Sequence, residues 1–402
     1  MAINSERFHD LDAVRASALL LGVALHASMS FIEPQMWVLK DAGSSAGLGV
    51  LFYVIHMFRM TTFFVMAGFF AHMLMGRYGL GGFIKNRLIR VGAPLAVFWP
   101  IVFASIVAVM IIAYAPPPGA AVPGAAIPAP PPGLTPQTFP LTHLWFLYAL
   151  LWLYGGAIMI RLVTDLLRIG GALGRMFDAV VGFLTRTELI GAVLILPAFA
   201  ALYTSPAWTI WFGIPTPDTG LMLNTPALAG FSTAFVFGWF LHRSPYLLGH
   251  LAKRWWAYLP AAIIGTAICL NMIGIVPVLT PAKGAGHPLY LAIYLLTGWS
   301  WTLGLIGAAH ACLKRENPVL RYLSDASYWI YIIHIPVVMG LQLAARNLAG
   351  PSELKFAAIL LVTIMIGLLS YQIMVRYTFI GAILNGRRRR TKRTTKGQEA
   401  LT

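Results

Sequence analysis

Arg15 and His26 lie in one apolar stretch, residues 12–32, that is long enough to cross a bilayer. They are eleven positions apart, so on an α-helix both side chains face the same way, about 16 Å apart along the axis. A charged group in hydrocarbon is costly and normally faces a polar cavity. Because imidazole exchanges protons near neutral pH, the pair indicates proton-transfer chemistry. The alternative is that Arg15 reaches the membrane surface and His26 bonds a neighbouring helix.

His56 and Arg59 lie three residues apart in the second apolar stretch, on one face of the helix expected there. Helix rise places His56 about 12 Å below the surface, near the depth expected for His26. Arg59 is too deep to extend comfortably to the headgroups. We therefore expect Arg15, His26, His56 and Arg59 to form a catalytic group, with core packing as the alternative for His56.

Arg87 and Arg90, with Lys85 beside them, form a compact cationic patch between the second and third apolar stretches. Their spacing places both guanidinium groups on one side of a helix. Guanidinium pairs bidentately with phosphate, so the patch suits a phosphorylated ligand. The alternative is that the patch only controls topology and contacts anionic lipid headgroups.

Two further pairs are candidates for the lining of a cavity that receives substrate. His143 and Trp145 open an apolar stretch directly after a proline-rich segment, and Tyr331 and His334 share a helix face in another stretch. Aromatic residues at a membrane interface are usually belt residues. A histidine within a helix often only bonds its neighbours, so these simpler roles stay open for all four residues.

Helices must position these side chains, because the composition is that of an integral membrane protein. Of the 402 residues, 58% are hydrophobic and 10% charged, and mean hydropathy is +0.75. The two cysteines lie in apolar stretches and indicate neither a disulfide framework nor a metal site. We predict an all-α polytopic fold, with about ten transmembrane helices around a polar mid-membrane cavity. The predicted spans are 12–32, 47–75, 93–115, 143–160, 188–203, 226–241, 255–276, 288–313, 327–345 and 356–381.

Basic residues are distributed unevenly among the segments that join these spans. Twenty-two of the 29 Lys and Arg residues fall on one side and four on the other. The positive-inside rule assigns the richer side, with both termini, to the cytoplasm. The net charge of +16 therefore reflects topology and contact with membrane lipids, and we expect no nucleic-acid partner. Residues 387–402 are predicted to form a basic cytoplasmic tail, and residues 115–140 a proline-rich external loop.

Five motifs, in order along the chain, resemble the membrane-bound acyltransferase family 3. They are Asp12 with Arg15 and His26, FRMTTFFVMAGFF at 58–70, Arg87 and Arg90 before Gly92 and Pro94, HLWFL at 143–147, and SYWIYIIHIP at 327–336. The resemblance covers nearly the whole chain. It implies a single integral-membrane acyltransferase domain, residues 1–386, in a bacterial inner membrane. Within the family, the variants around His56 and His143 are most similar to the branch that attaches succinyl groups to osmoregulated periplasmic glucans.

The resemblance also implies roles for individual residues. His26 matches the intramembrane histidine essential for acyl transfer, Arg15 matches its basic partner, and Arg87 with Arg90 matches the pair associated with acyl-CoA phosphates. The implied function is transfer of an acyl group, succinyl first of all, from cytoplasmic acyl-CoA to a periplasmic glucan, with no tightly bound cofactor. O-acetylation of another surface polysaccharide is one alternative, and a glycan or lipid transporter with a His26–Arg15 proton relay is another. Whether His26 would act as general base or acyl carrier stays open.

Overall fold

The computed structural model describes residues 8–115, 133–206, 208–281 and 287–386. Every regular element in these residues is helical, and β-type pairing there is confined to two isolated bridges, so the predicted all-α class is confirmed. Most of the predicted proline-rich loop and the whole predicted tail at 387–402 lie outside the described residues. The helices are α1 (His9–Ser28), α2 (Ala46–Arg87), α3 (Ala93–Tyr114), α4 (Trp145–Leu166), α5 (Gly170–Arg186), α6 (Ile190–Tyr203), α7 (Thr225–Arg243), α8 (Tyr246–Ile273), α9 (His287–Cys312), α10 (Pro318–Ala345), α11 (Ser352–Ser370) and α12 (Phe379–Asn385).

Among the described residues, seven helical stretches are long and apolar enough to cross a membrane, or eight if the bent pair α5 and α6 forms one span. The predicted count of about ten is therefore not confirmed. One difference is that α2 and α3 continue as a single stretch of 69 residues through a π-helical turn at Leu88–Gly92. The stretch is not one straight helix, because Gly79 breaks the helical geometry within α2, and its 69 residues are too many for one crossing. The other difference is that α6, with 14 residues, is too short to cross alone, and α7, with 19 residues, is long enough but not apolar enough.

The first helix, α1, lies within the bundle, where it packs against α2, α9, α10 and α11. Leu11 and Ala27, near its two ends, are completely buried. Because protein surrounds α1, polar side chains on it must find their partners inside the bundle. α2 and α7 approach so closely that a Cβ at Gly68 would overlap the backbone of Phe235, which is the type of contact that small residues permit between membrane helices.

The bundle has two ends that differ in character. At the basic end α1 begins and α2 ends, and at the loop end α1 ends and α2 begins. Segment 32–45 covers the loop end and is held there by a buried ion pair, in which Lys355 Nζ lies 2.9 and 3.0 Å from the two carboxylate oxygens of Asp41. Arg346 also donates to the Ala113 carbonyl at 3.3 Å. Since buried ion pairs fix geometry more than they add stability, this cover has a defined position over the end of α1.

Candidate active site

Four histidines from separate parts of the chain meet inside the bundle, towards its loop end. α1 carries His26, α2 carries His56, α10 carries His334, and His143 lies just before α4. The ring centroids of His26 and His334 are 5.3 Å apart, and those of His143 and His334 are 4.8 Å apart. These rings come together with two further side chains, and we call the whole set the histidine cluster: His26, His56, Arg59, His143, Tyr331 and His334.

Arg59 reaches from α2 to the helix that carries His26. Its Nη1 atom fills the space where a Cβ would stand at Gly22, one helical turn before His26. Arg59 lies within electrostatic range of His26, His56 and His334. Its buried Nε has no hydrogen-bond partner among the described residues. A buried cation that lacks full pairing is costly to keep, so Arg59 indicates a place that receives negative charge.

Backbone contacts determine which ring nitrogens of His334 and His143 carry hydrogen. His334 Nδ1 lies 2.6 Å from the Tyr331 carbonyl oxygen, and His143 Nε2 lies 3.1 Å from the Ile332 carbonyl oxygen. A carbonyl can only accept, so both nitrogens must donate. The other nitrogens, His334 Nε2 and His143 Nδ1, are then buried acceptors, and neither has a partner among the described residues. The cluster therefore presents free acceptors next to a cation.

A stripe of aromatic side chains on α10 connects the histidine cluster with the basic end. The Tyr331 hydroxyl donates to the His143 carbonyl at 2.6 Å. The Tyr331 ring stacks on Tyr328, with centroids 6.5 Å apart, and the Tyr328 hydroxyl donates to the Arg90 carbonyl at 2.8 Å. From His334 to Tyr328 is six residues, or about 9 Å of helix. The arginines of the basic end therefore lie within a short span of the cluster.

Arg87, Arg90 and Arg15 form the second group of predicted site residues, and we call it the arginine group. Arg87 donates to Asn86 Oδ1 at 2.5 Å, and its guanidinium carbon lies 5.4 Å from the centre of the Tyr154 ring. Arg90 lies within electrostatic range of both Arg87 and Arg15. Three cations that share one small region repel each other, and this arrangement is typical of a site for an anionic ligand.

Arg15 is separated from His26 in the structure, although the sequence analysis expects both in one catalytic group. Its Nη2 lies 2.9 Å from Asp12 Oδ1, and its guanidinium carbon lies 5.1 Å from the centre of the Phe70 ring. With Arg90 also in electrostatic range, Arg15 is a member of the arginine group at the basic end.

Two other predicted site residues lie apart from both groups. Lys85 is exposed, and none of the described contacts joins it to Arg87 or Arg90. Trp145 is buried in an aromatic core, with its ring centroid 5.6 Å from that of Phe231. The structure therefore brings together His26, His56, Arg59, His143, Tyr331 and His334 in the cluster, and Arg15, Arg87 and Arg90 at the basic end.

Sequence reasoning missed two residues beside His26. Trp37, from segment 32–45, has its ring centroid 5.7 Å from that of His26. Its Nε1 donates to Gln342 Oε1 at 2.9 Å, and Gln342 Nε2 donates to the His26 carbonyl at 2.9 Å. No local motif indicates these contacts, because Gln342 is more than 300 residues from both partners along the chain. A glutamine in an apolar helix was the one available hint.

The predicted open cavity around the cluster is not confirmed. Two small pockets lie elsewhere: one at the basic end beside Asp12, the other between α2, α6, α7 and α9. In the part of the chain that the structure describes, no group of three or more His, Cys, Asp or Glu residues could hold a metal ion. The side chains that the histidine cluster presents are imidazole, guanidinium and phenol groups.

Membrane-length helices around a buried cluster of proton acceptors and a cation define a polytopic membrane protein with an internal polar site. The chain belongs to the acyltransferase 3 family, whose model, described as an acyltransferase domain, matches residues 8–374. The match includes every residue of the histidine cluster and of the arginine group.

Named relatives resemble a shorter part of the chain. Glucans biosynthesis protein C of Escherichia coli strain K12 is 37% identical over 99 residues, which are 25% of this chain and 26% of that protein. The protein of the same name from Escherichia coli O1:K1 / APEC is 36% identical over 99 residues, with the same shares. The chain thus spans about a quarter of the length of the curated relatives it matches. No solved structure matches the chain.

Proposed function

We propose that this protein transfers an acyl group, succinyl first of all, from cytoplasmic acyl-CoA to a hydroxyl of a periplasmic glucan. The observation that carries the proposal is the histidine cluster, where buried acceptors on His143 and His334 and the cation of Arg59 surround His26. The family supplies the reaction type, and the partial likeness to glucans biosynthesis protein C favours a glucan as acceptor. We assign the activity to one domain, residues 1–386.

We also propose that the basic end faces the cytoplasm and the loop end the periplasm, in a bacterial inner membrane with both termini cytoplasmic. The uneven distribution of Lys and Arg along the chain supports this orientation. It places the arginine group where acyl-CoA is made, and segment 32–45 where a periplasmic glycan would arrive. The two substrates would then approach the histidine cluster from opposite sides.

For the donor, Arg87 and Arg90 would bind the phosphates of CoA, because guanidinium matches phosphate in charge and in hydrogen-bond geometry. Arg15 would add positive charge from α1. The thioester would extend along the stripe of Tyr328 and Tyr331 towards the cluster. Holding the donor at its phosphates would fix the thioester beside the acceptor, which turns a bimolecular encounter into a positioned reaction.

For the chemistry, His26 would accept the proton of the sugar hydroxyl as the hydroxyl oxygen attacks the thioester carbonyl carbon. Arg59 would stabilise the oxyanion of the tetrahedral intermediate, because its charge is already in place. When the carbon–sulfur bond breaks, the imidazolium would return its proton to the CoA thiolate. The free acceptors on His143 and His334 would orient the sugar hydroxyls around His26.

The experiment uses purified protein in nanodiscs with a glucan and either succinyl-CoA or acetyl-CoA. Mass spectrometry of the glucan and assay of released CoA are the two measurements. We expect a succinyl mass increment on the glucan together with CoA release. An acetyl increment alone would identify acetyl-CoA as the donor. CoA release with an unmodified glucan would show that the glucan is not the acceptor. An acylated His26 peptide, found with donor alone, would make His26 an acyl carrier instead of a general base.

A further inference from the structure

Trp37 presents an aromatic ring beside the histidine cluster, at the approach from the loop end. Its centroid lies 5.7 Å from that of the His26 ring. Part of the indole packs against an apolar group that contains Leu39, Ile335 and Met339, and the side chain as a whole is partly exposed. A partly exposed aromatic ring thus lies next to the proposed general base.

Gln342 holds this ring in place. One amide side chain accepts from the indole N–H of Trp37 and donates to the His26 backbone carbonyl, each at 2.9 Å. The ring is therefore tied to the same turn of helix that carries the reactive imidazole. Gln342 also satisfies a carbonyl in the last turn of α1, so a purely structural role is the competing explanation that the experiment must separate.

We infer that Trp37 is the platform on which a pyranose ring of the acceptor stacks, and that Gln342 is the positioning residue that holds this platform beside His26. The inference rests on the proposed function and names the part of the site that recognises the acceptor. A pyranose ring presents C–H bonds on its face, which match the apolar face of an indole, while its hydroxyls project from the edge. A sugar stacked on Trp37 would bring an edge hydroxyl to His26.

The test compares steady-state acyl transfer to a soluble glucan by the whole protein in nanodiscs. The variants are Trp37→Leu, which removes the aromatic face, Trp37→Phe, which keeps a ring, and Gln342→Met, which keeps the volume but loses both hydrogen bonds. Trp256→Leu is the control for loss of a tryptophan elsewhere, because Trp256 is an exposed tryptophan of α8 whose N–H donates to the Lys253 carbonyl. Donor affinity, measured on every variant, verifies that the protein is folded.

We expect Trp37→Leu to raise KM for the glucan about tenfold, with donor affinity and kcat nearly unchanged. Trp37→Phe should recover much of the loss, Gln342→Met should give an intermediate KM, and Trp256→Leu should behave as the unmodified protein. An unchanged glucan KM in Trp37→Leu, with faster hydrolysis of acyl-CoA when no glucan is present, would make Trp37 a cover that excludes water and would overturn the inference. If the unmodified protein itself fails to acylate a glucan, that result contradicts the proposed function, and the inference that rests on it is then contradicted too.

Discussion

The histidine cluster and the arginine group both concentrate positive or proton-binding side chains, but they combine different residues: four histidines beside one arginine in the cluster, and three arginines in the other group. In the cluster, Arg59 and His334 are buried and each has a polar atom without a partner among the described residues. In the arginine group, Arg15 is paired with Asp12 and Arg87 bonds Asn86, although Arg87 Nε is also buried without a partner among the described residues. A site where charge changes during a reaction needs free donors and acceptors, whereas a site that holds a permanent anion needs stable cations. We therefore propose that chemistry and donor binding belong to separate groups.

The largest effect is expected from His26→Ala, which should reduce acyl transfer about 10³- to 10⁴-fold by removal of the general base. Donor affinity should stay close to that of the unmodified protein, because the arginine group is intact. The measurement is single-turnover transfer from labelled acyl-CoA, with His250→Ala as control. His250 is a histidine of α8 in contact with Glu188, remote from the cluster. Transfer at the normal rate by well-folded His26→Ala would end the proposed mechanism.

The next effect is expected from Gly22→Ala, which tests Arg59 without altering it. The new methyl group would occupy the position of Arg59 Nη1 and displace the flexible end of that side chain. If Arg59 stabilises the oxyanion, kcat should fall about 10²-fold with little change in donor affinity. Gly155→Ala, in α4, is the matched control, because nothing lies within 4 Å of a Cβ built there. Equal activity of the two variants would remove Arg59 from the reaction.

Replacement of both Arg87 and Arg90 by alanine should affect binding and spare the chemistry. Loss of one charged hydrogen bond to phosphate costs on the order of 1.5–3 kcal/mol, so Kd for acyl-CoA and for free CoA should rise at least tenfold. The preference among acyl groups should stay the same, because the contact is with the shared nucleotide part. Lys85→Ala is the control, since that side chain is exposed. An unchanged Kd in correctly inserted double variant would assign the two arginines to lipid headgroups or topology.

The smallest effect is expected from replacement of Arg15, and the measurement distinguishes two roles for that residue. In the arginine group, Arg15→Ala should weaken donor affinity several-fold, and Arg15→Lys should keep most of it, because only the charge reaches Arg90. The effect should decrease at high salt, since a third of the side chain is exposed. If instead kcat falls and donor affinity is unchanged, Arg15 acts as the basic partner of His26 that the family resemblance implies.

The sequence predicted the fold class and the family, because apolar stretches and the order of motifs can be recognised in the sequence alone. It also identified His26, His56, Arg59, His143 and His334 separately, since each polar residue is anomalous in an apolar stretch. It grouped His26, His56 and Arg59 by depth and helix face, but it did not predict that His143 and His334 lie beside them. Helix phase placed Arg15 and His26 on one face, but their 16 Å separation, about the rise of eleven residues, left them at different ends of α1. Sharing a helix face therefore gave the two side chains a common direction but did not bring them close together.

Other parts of the site depend on contacts between distant segments, which no local pattern encodes. Trp37 meets Gln342 and Gln342 meets His26 only because α10 packs along α1. The number of membrane crossings was also beyond local reasoning, since α6 is short and α2 continues into α3 through a π-helical turn. Trp145, predicted to line a cavity, has neighbouring aromatic rings on α2 and α7, a surrounding that depends on packing.

The separation of chemistry from donor binding is tested most directly by measuring two quantities on two variants. The quantities are Kd for acyl-CoA and the single-turnover rate of acyl transfer at saturating donor. The variants are His26→Ala and the double replacement of Arg87 and Arg90 by alanine. We predict that His26→Ala binds donor normally and does not transfer, and that the arginine variant binds weakly but transfers at close to the normal rate once saturated. Loss of both quantities in both variants would contradict the account, because the two groups would then act as one site.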